Sequence, residues 1–140
     1  MTTIKAFYRE DGPDEGVTIS TDAEAAALLG RVHADSVAFD CPLLVQMYVE
    51  GESPRATPEF GVGVDGDHGV LSYSGRGWKG LWASHNGADD DGDSIEYYYM
   101  GNGTPFPANC RIPYDDLVKA VQEFLLDGDR PASVTWQKIT

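Results

Sequence analysis

Residues 112–131 constrain the fold more than any other stretch, because they spell a helix with a defined start, one apolar face and an enforced stop. Ile112-Pro113-Tyr114-Asp115-Asp116 opens it: proline suits a first helical turn, and the two aspartates face the positive end of the helix dipole. Leu117, Val118, Val121, Phe124 and Leu125 recur at three- and four-residue spacing, with Lys119, Gln122, Glu123 and Asp127 on the other side. Gly128 is placed to take a left-handed C-cap, and Arg130-Pro131 cannot continue a helix. The chain must then leave through residues 132–137, where Val134 and Trp136 alternate with Ser133, Thr135 and Gln137 as in a half-buried strand. Just upstream, Tyr97-Tyr98-Tyr99-Met100 is a β-prone aromatic run, and residues 101–107 spell a loop of Gly, Asn and Pro.

The remainder supplies a sheet for this unit to pack on. Ile4 to Tyr8 is a first short strand, followed by an acidic turn over residues 10–16 and a brief extended piece, Val17-Thr18-Ile19-Ser20. Thr21 and Glu24 form a capping box for a helix over residues 23–33, which ends near Ala34-Asp35 and buries Ala25, Leu28, Leu29 and Val32. Val37 and Phe39, then Leu43, Leu44, Val45, Met47 and Val49, change the period to that of a strand, broken at Cys41-Pro42. After a polar loop over residues 51–58, Phe60, Val62 and Val64 pair through Asp65-Gly66-Asp67-His68-Gly69 with residues 70–73 as a hairpin. Gly75-Arg76-Gly77 separates that hairpin from a strand at residues 78–83, and a loop at 86–93 precedes a strand at 95–100. Consecutive strands on short turns pair antiparallel, and helices near the two ends lie together. The expected fold is α+β: a mainly antiparallel sheet with two helices packed on one face, residues 1–140 forming a single domain.

The formal charge of -13 excludes more functions than any motif does. It disfavours binding to nucleic acid phosphates and to anionic membrane surfaces, both of which require Lys and Arg, and it suits either a basic protein partner or solubility in an acidic proteome. Forty-one per cent apolar residues argue for a packed core and against a solvated acidic chain. No apolar run approaches the roughly 20 residues that span a bilayer, and residues 1–5 lack the layout of a signal peptide, so a cytoplasmic location is expected. Cys41 and Cys110 stand far apart, which disfavours zinc knuckles and disulfide frameworks and leaves two reduced thiols.

The sequence offers contact surfaces instead of a catalytic set. Asp89-Asp90-Asp91-Gly92-Asp93 resembles part of an EF-hand loop, yet Ser94 stands where glycine is needed and Met100 where the bidentate glutamate belongs. A solvated turn or an acidic contact surface suits it better. His33, His68 and His85 lack metal-ligand spacing, and neither Gly61-Val62-Gly63 nor Gly101-Asn102-Gly103 carries a phosphate-cradling pattern, so both read as bulges or turns. Neither a cofactor nor a metal site is therefore expected. Alternation along the tyrosine run turns Tyr98 away from Tyr97 and Tyr99, free to anchor an interface. The candidate partner-binding residues are Asp89, Asp90, Asp91, Asp93, Glu96 and Tyr98. A second reading, a small ligand-binding domain or enzyme with a pocket between sheet and helices, would use His85, Glu96, Tyr98 and Arg111.

Taken together, Tyr98-Tyr99-Met100-Gly101, Phe106-Pro107, Ile112-Pro113, Ala120, Glu123-Phe124, Gly128-Asp129-Arg130-Pro131 and Val134-Thr135-Trp136-Gln137 resemble the Imm1 family of bacterial immunity proteins. The resemblance is best over about residues 95–137. It implies a small α+β protein of a polymorphic toxin system, of actinobacterial type, that is not an enzyme. Such a protein binds and neutralises a cognate toxin in the cytoplasm, often a nucleic acid deaminase or nuclease. The matching residues are of structural kind and do not by themselves mark an interface. An exposed edge strand would also serve a homodimer.

Overall fold

The computed structural model describes residues 2–8, 16–51, 58–75 and 77–139. The acidic turn and polar loop expected around residues 9–15 and 52–57, and Arg76, lie outside the described residues. In chain order the elements are β1 (Ile4–Phe7), β2 (Val17–Ile19), α1 (Asp22–Ala38), β3 (Leu43–Val49), β4 (Glu59–Asp65), β5 (His68–Gly75), β6 (Trp78–Ser84), β7 (Ser94–Tyr99), β8 (Asn102–Pro107), β9 (Ile112–Pro113), α2 (Tyr114–Asp127) and β10 (Trp136–Lys138). The main path of the sheet runs β10-β6-β5-β4-β3-β1-β2. Every neighbouring pair along it is antiparallel, including β1–β3 and β6–β10, which are not consecutive in the chain. This is the expected α+β fold.

Both helices lie on one face. Ala25, Leu28, Leu29 and Val32 of α1, with Leu117, Ala120, Val121, Phe124 and Leu125 of α2, close over Ile4, Ala6, Val45, Met47, Phe60, Val62, Val64, Leu71 and Tyr73. At the centre Phe60 stacks on Phe124 at 4.5 Å, and Tyr73 meets Phe124 edge-on at 6.3 Å. Gly69 lets α2 approach: a Cβ there would stand 2.6 Å from Leu117 Cδ1. Thr21 caps α1 by accepting from the Glu24 N–H at 3.1 Å, and the Glu24 carboxylate accepts in return from the Ser20 N–H at 3.1 Å. The capping box therefore closes one residue earlier than its usual form. Gly128 adopts φ 74° as the left-handed cap of α2.

The other face of the sheet is covered by the hairpin β7–β8, and here the structure corrects several expectations. Residues 102–107 form β8 in register with β7, from Tyr99↔Asn102 to Ser94↔Pro107. The loop expected over residues 101–107 shrinks to Met100-Gly101, with φ of 48° and 85°, the signature of a tight hairpin turn. A methionine in the left-handed region hid that turn. Gly61 and Gly63 are regular residues of β4, neither bulge nor turn, and Gly63 faces the hairpin, where a Cβ would come within 2.6 Å of Tyr97 Cδ2. Glycine brings a second sheet layer down onto the strand. Tyr97, Phe106, Cys110, Leu44, Val70 and Ala83 form the resulting second core.

Two boundaries also move. α1 runs to Ala38, so Val37 belongs to the helix and Phe39 caps it; neither is in a strand. The last strand is confined to Trp136–Lys138, because Arg130 and Pro131 are held by aromatic contacts before pairing with β6 can start. The free sheet edges are poor templates for a second copy. β2 and β10 have three residues each, and β8, paired only with β7, carries Pro105 and Pro107.

Candidate partner-binding surface

The acidic loop extends from the end of β6 to β7, and it is pinned by a polar hub on the hairpin side of the sheet. Ser84, fully buried, accepts from the Leu71 N–H at 3.0 Å and donates to the Cys110 carbonyl at 2.6 Å. Gln137 donates through Nε2 to the Ser84 carbonyl at 3.1 Å and to Asn109 Oδ1 at 3.0 Å. Asn109 in turn donates to the Ala88 carbonyl at 3.2 Å, and its own carbonyl accepts from the Asn86 N–H at 2.8 Å. The Ala108 N–H closes the far end on the Asp93 carbonyl at 3.0 Å. Buried polar groups that are mutually satisfied hold one geometry, since any alternative leaves a donor or acceptor without water. The Trp-Gln strand therefore sets the position of a loop some fifty residues upstream.

On that loop Asp89, Asp90, Asp91 and Asp93 are all exposed. Asp90 and Asp91 turn a carboxylate oxygen back on their own backbone, accepting from the Gly92 and Asp93 N–H groups at 2.9 Å each. These turns fix the backbone and leave most of the carboxylate lone pairs facing solvent. Between the loop and β8 lies an open groove of 270 Å³ lined by Asp90, Gly92, Asp93, Ser94, Pro105, Phe106 and Pro107. Farther along β7, Glu96 is exposed, lies across Gly103, and accepts from the Tyr98 hydroxyl at 3.3 Å. That carboxylate raises the Tyr98 phenol above its ordinary pKa. Tyr97 is buried and Tyr99 packs beside it, whereas Tyr98 is turned to the other side as the alternation predicts. The six candidate residues thus share the loop and the outer side of one hairpin.

The four residues of the pocket reading do not share a site between sheet and helices. Glu96 and Tyr98 stand on β7, on the far face, His85 follows β6 and accepts the Gly87 N–H at its Nδ1, and Arg111 is exposed after Cys110. The space between sheet and helices holds the apolar core. Cys110 sits in the second core, and burial pushes its thiol up to about 11, well away from thiolate chemistry.

A second feature is built on the Gly-Asp-Arg-Pro stop. The Arg130 guanidinium lies 3.5 Å above the Trp78 ring and within 4.8 Å and 5.4 Å of Trp82 and Trp136. The Trp136 N–H donates to the Pro131 carbonyl at 2.8 Å, and the Tyr73 hydroxyl donates to the Gly128 carbonyl at 3.2 Å. A planar delocalised cation suits three aromatic faces in a way an alkylammonium does not. Arg130→Ala is expected to cost about 2 kcal/mol and to free Trp78, which a red shift of tryptophan emission and a urea midpoint would register. Arg130→Lys should recover less than half of the loss.

Sequence reasoning missed one surface. Helical phase carries the inner side of α1 from Val32 to Ser36, which is buried, donates to the His33 carbonyl at 2.8 Å and accepts from the Gly66 N–H at 3.2 Å. Val37 and Phe39 are consequently turned outward, 61% and 67% exposed. Counting four residues on from Val32 would have shown this; the β-branched valine and the nearby proline suggested a strand instead.

The family model described as immunity protein Imm1 matches residues 13–138. No curated protein matches the chain.

Proposed function

The chain belongs to the Imm1 immunity protein family, and we propose that its cognate partner is a basic, nucleic-acid-targeting toxin, a deaminase or nuclease, bound through the acidic loop before β7 and the outer side of the β7–β8 hairpin. Membership of the family supports a toxin-neutralising role, exerted in this reading by binding and not by turnover. A charge of -13 in 140 residues carries the proposal about the partner. An enzyme that handles nucleic acid presents cations to phosphates, and a preset array of carboxylates competes for those cations and steers the encounter. Asp89, Asp90, Asp91, Asp93 and Glu96 supply exposed carboxylates on a backbone locked by the Asn109–Gln137 hub, and Tyr98 supplies an aromatic contact beside them. The protein would act in the cytoplasm, where such a toxin meets its substrate.

The test begins with a toxin recovered on the tagged protein from lysate of the source organism and shown to be neutralised by it. Changing Asp89, Asp90, Asp91 and Asp93 together to Asn is expected to slow association about tenfold at low salt and to flatten its salt dependence. The dissociation rate should change little, since exposed rim charges act mainly on encounter. Unchanged association and salt dependence would remove the loop from the mechanism.

A further inference from the structure

The C-terminal end of α1 is organised against its own stability. Helix carbonyls there carry partial negative charge, and the last turn contains no basic residue. Three acidic segments surround it. Asp40 follows directly in the left-handed region at φ 48°. The Asp65-Gly66-Asp67 turn is tied to the helix by the bond from the Gly66 N–H to Ser36 Oγ and by Asp67 at 3.6 Å from His33 Nε2. Strand β7 joins the same corner through the Tyr98 N–H, which donates to the Pro42 carbonyl at 3.0 Å, and brings Glu96 with it. The Cys41 thiol between these segments is raised by burial first and then by Asp40 and Asp65.

Beside this negative corner, Val37 and Phe39 are the two most exposed large apolar side chains of the described residues. Phe39 is held outward by a defined backbone: its N–H donates to the Asp35 carbonyl at 2.9 Å, and the Cys41 N–H to the Ser36 carbonyl at 3.0 Å. An exposed aromatic and a β-branched residue rimmed by carboxylates form the anatomy of an interface centre, apolar inside and charged at the margin. The sign of the charge selects the partner. A second copy of this chain would bring carboxylates against carboxylates, and a nucleic acid would bring phosphates; a cationic protein segment is attracted on both counts.

We infer that the corner formed by Val37, Phe39, Asp40, Asp65 and Glu96 is the anchor for the cognate toxin, receiving an Arg- or Lys-bearing segment whose apolar part packs on Phe39. This rests on the immunity reading above and divides the labour within it. The Asp89–Asp93 loop governs encounter, and the α1 corner governs residence time, because a desolvated aromatic anchor acts on dissociation.

The experiment uses the toxin recovered with the wild-type protein and measures association and dissociation rates for three variants. Phe39→Asp is expected to raise the dissociation rate about 100-fold, with only a small fall in melting temperature, since the side chain is exposed and the added carboxylate meets a helix C-terminus that is already negative. Asp40→Asn combined with Asp65→Asn should raise it about tenfold, because a cation on a segment packed over Phe39 pairs with them out of water, unlike the solvated charges of the loop, asparagine being tolerated in the left-handed region at position 40. Phe39→Gln provides a second anchor variant should the aspartate alter folding, with the same direction expected. Dissociation rates within threefold of wild type for the Phe39 and Asp variants, with neutralisation by the wild type intact, would overturn the anchor and leave the immunity reading standing. If no recovered protein is a toxin neutralised by the wild type, the immunity reading falls and the anchor with it.

Discussion

Phe124→Ala is expected to lower the unfolding free energy by about 4 kcal/mol, a large fraction of the roughly 5–15 kcal/mol that keeps a typical domain folded. Phe124 is fully buried, stacks on Phe60 at 4.5 Å and meets Tyr73 edge-on at 6.3 Å. Truncation removes the transfer energy of the ring and opens a cavity between a helix and a sheet, and two surrounding features resist its collapse. The Tyr73 ring is fixed at its far end by the bond to the Gly128 carbonyl. α2 cannot settle much deeper, because Leu117 already rests over Gly69 and the β5 backbone. Urea unfolding followed by far-UV circular dichroism checks the value. A loss below about 1.5 kcal/mol would show that the helix layer relaxes into the space.

Gly63→Val is expected to detach the β7–β8 hairpin while the helix-side core stays folded. The first carbon of any side chain at this position would sit 2.6 Å from Tyr97 Cδ2 and 2.8 Å from Val70 Cγ2. Neither neighbour can yield cheaply, since Tyr97 is fully buried, Val70 nearly so, and Tyr97 also meets Phe106 edge-on at 5.8 Å. Overpacking of this kind costs about 3 kcal/mol. It falls on the second core alone, so the response should be local: fast amide exchange over residues 94–107 with little change in α1 and α2. Glu96 and Tyr98 move with the hairpin, so toxin association should weaken with it. Adding Tyr97→Ala to Gly63→Val should restore much of the protection by returning the space. Uniform loss of protection across both cores would instead show that the layers unfold as one unit.

These two positions also show how far the sequence could be read. Phe124 was visible as core because a helix repeats its inner face every three to four residues, and the five apolar positions of α2 obey that period. The capping residue Thr21, the Gly128 stop and the alternation that turns Tyr98 outward were visible for the same reason, being properties of a few adjacent residues. Gly63 was not visible: glycine in a strand suggests a turn, and only the presence of Tyr97 above it shows a second layer. β8 was hidden by its prolines and glycine, which are poor strand formers tolerated because the strand lies at an edge. The residues of the acidic loop were found by their charge. Their common placement with Glu96 and Tyr98 depends on Asn109 and Gln137, whose partners lie tens of residues away.

By itself the sequence determined the α+β class, both helices and the face each buries, the stop after α2, the absence of any helix-length apolar span, and the sign of the field a partner would meet. All of these follow from local periodicity, backbone chemistry or summed charge, which need no knowledge of distant contacts. The tertiary structure alone decided that a hairpin covers the second face, that Arg130 enters a tryptophan cage, and that Val37 and Phe39 stand exposed among carboxylates at the end of α1. Each depends on which segments meet after folding, and side chains far apart in the chain gain their meaning only from that meeting.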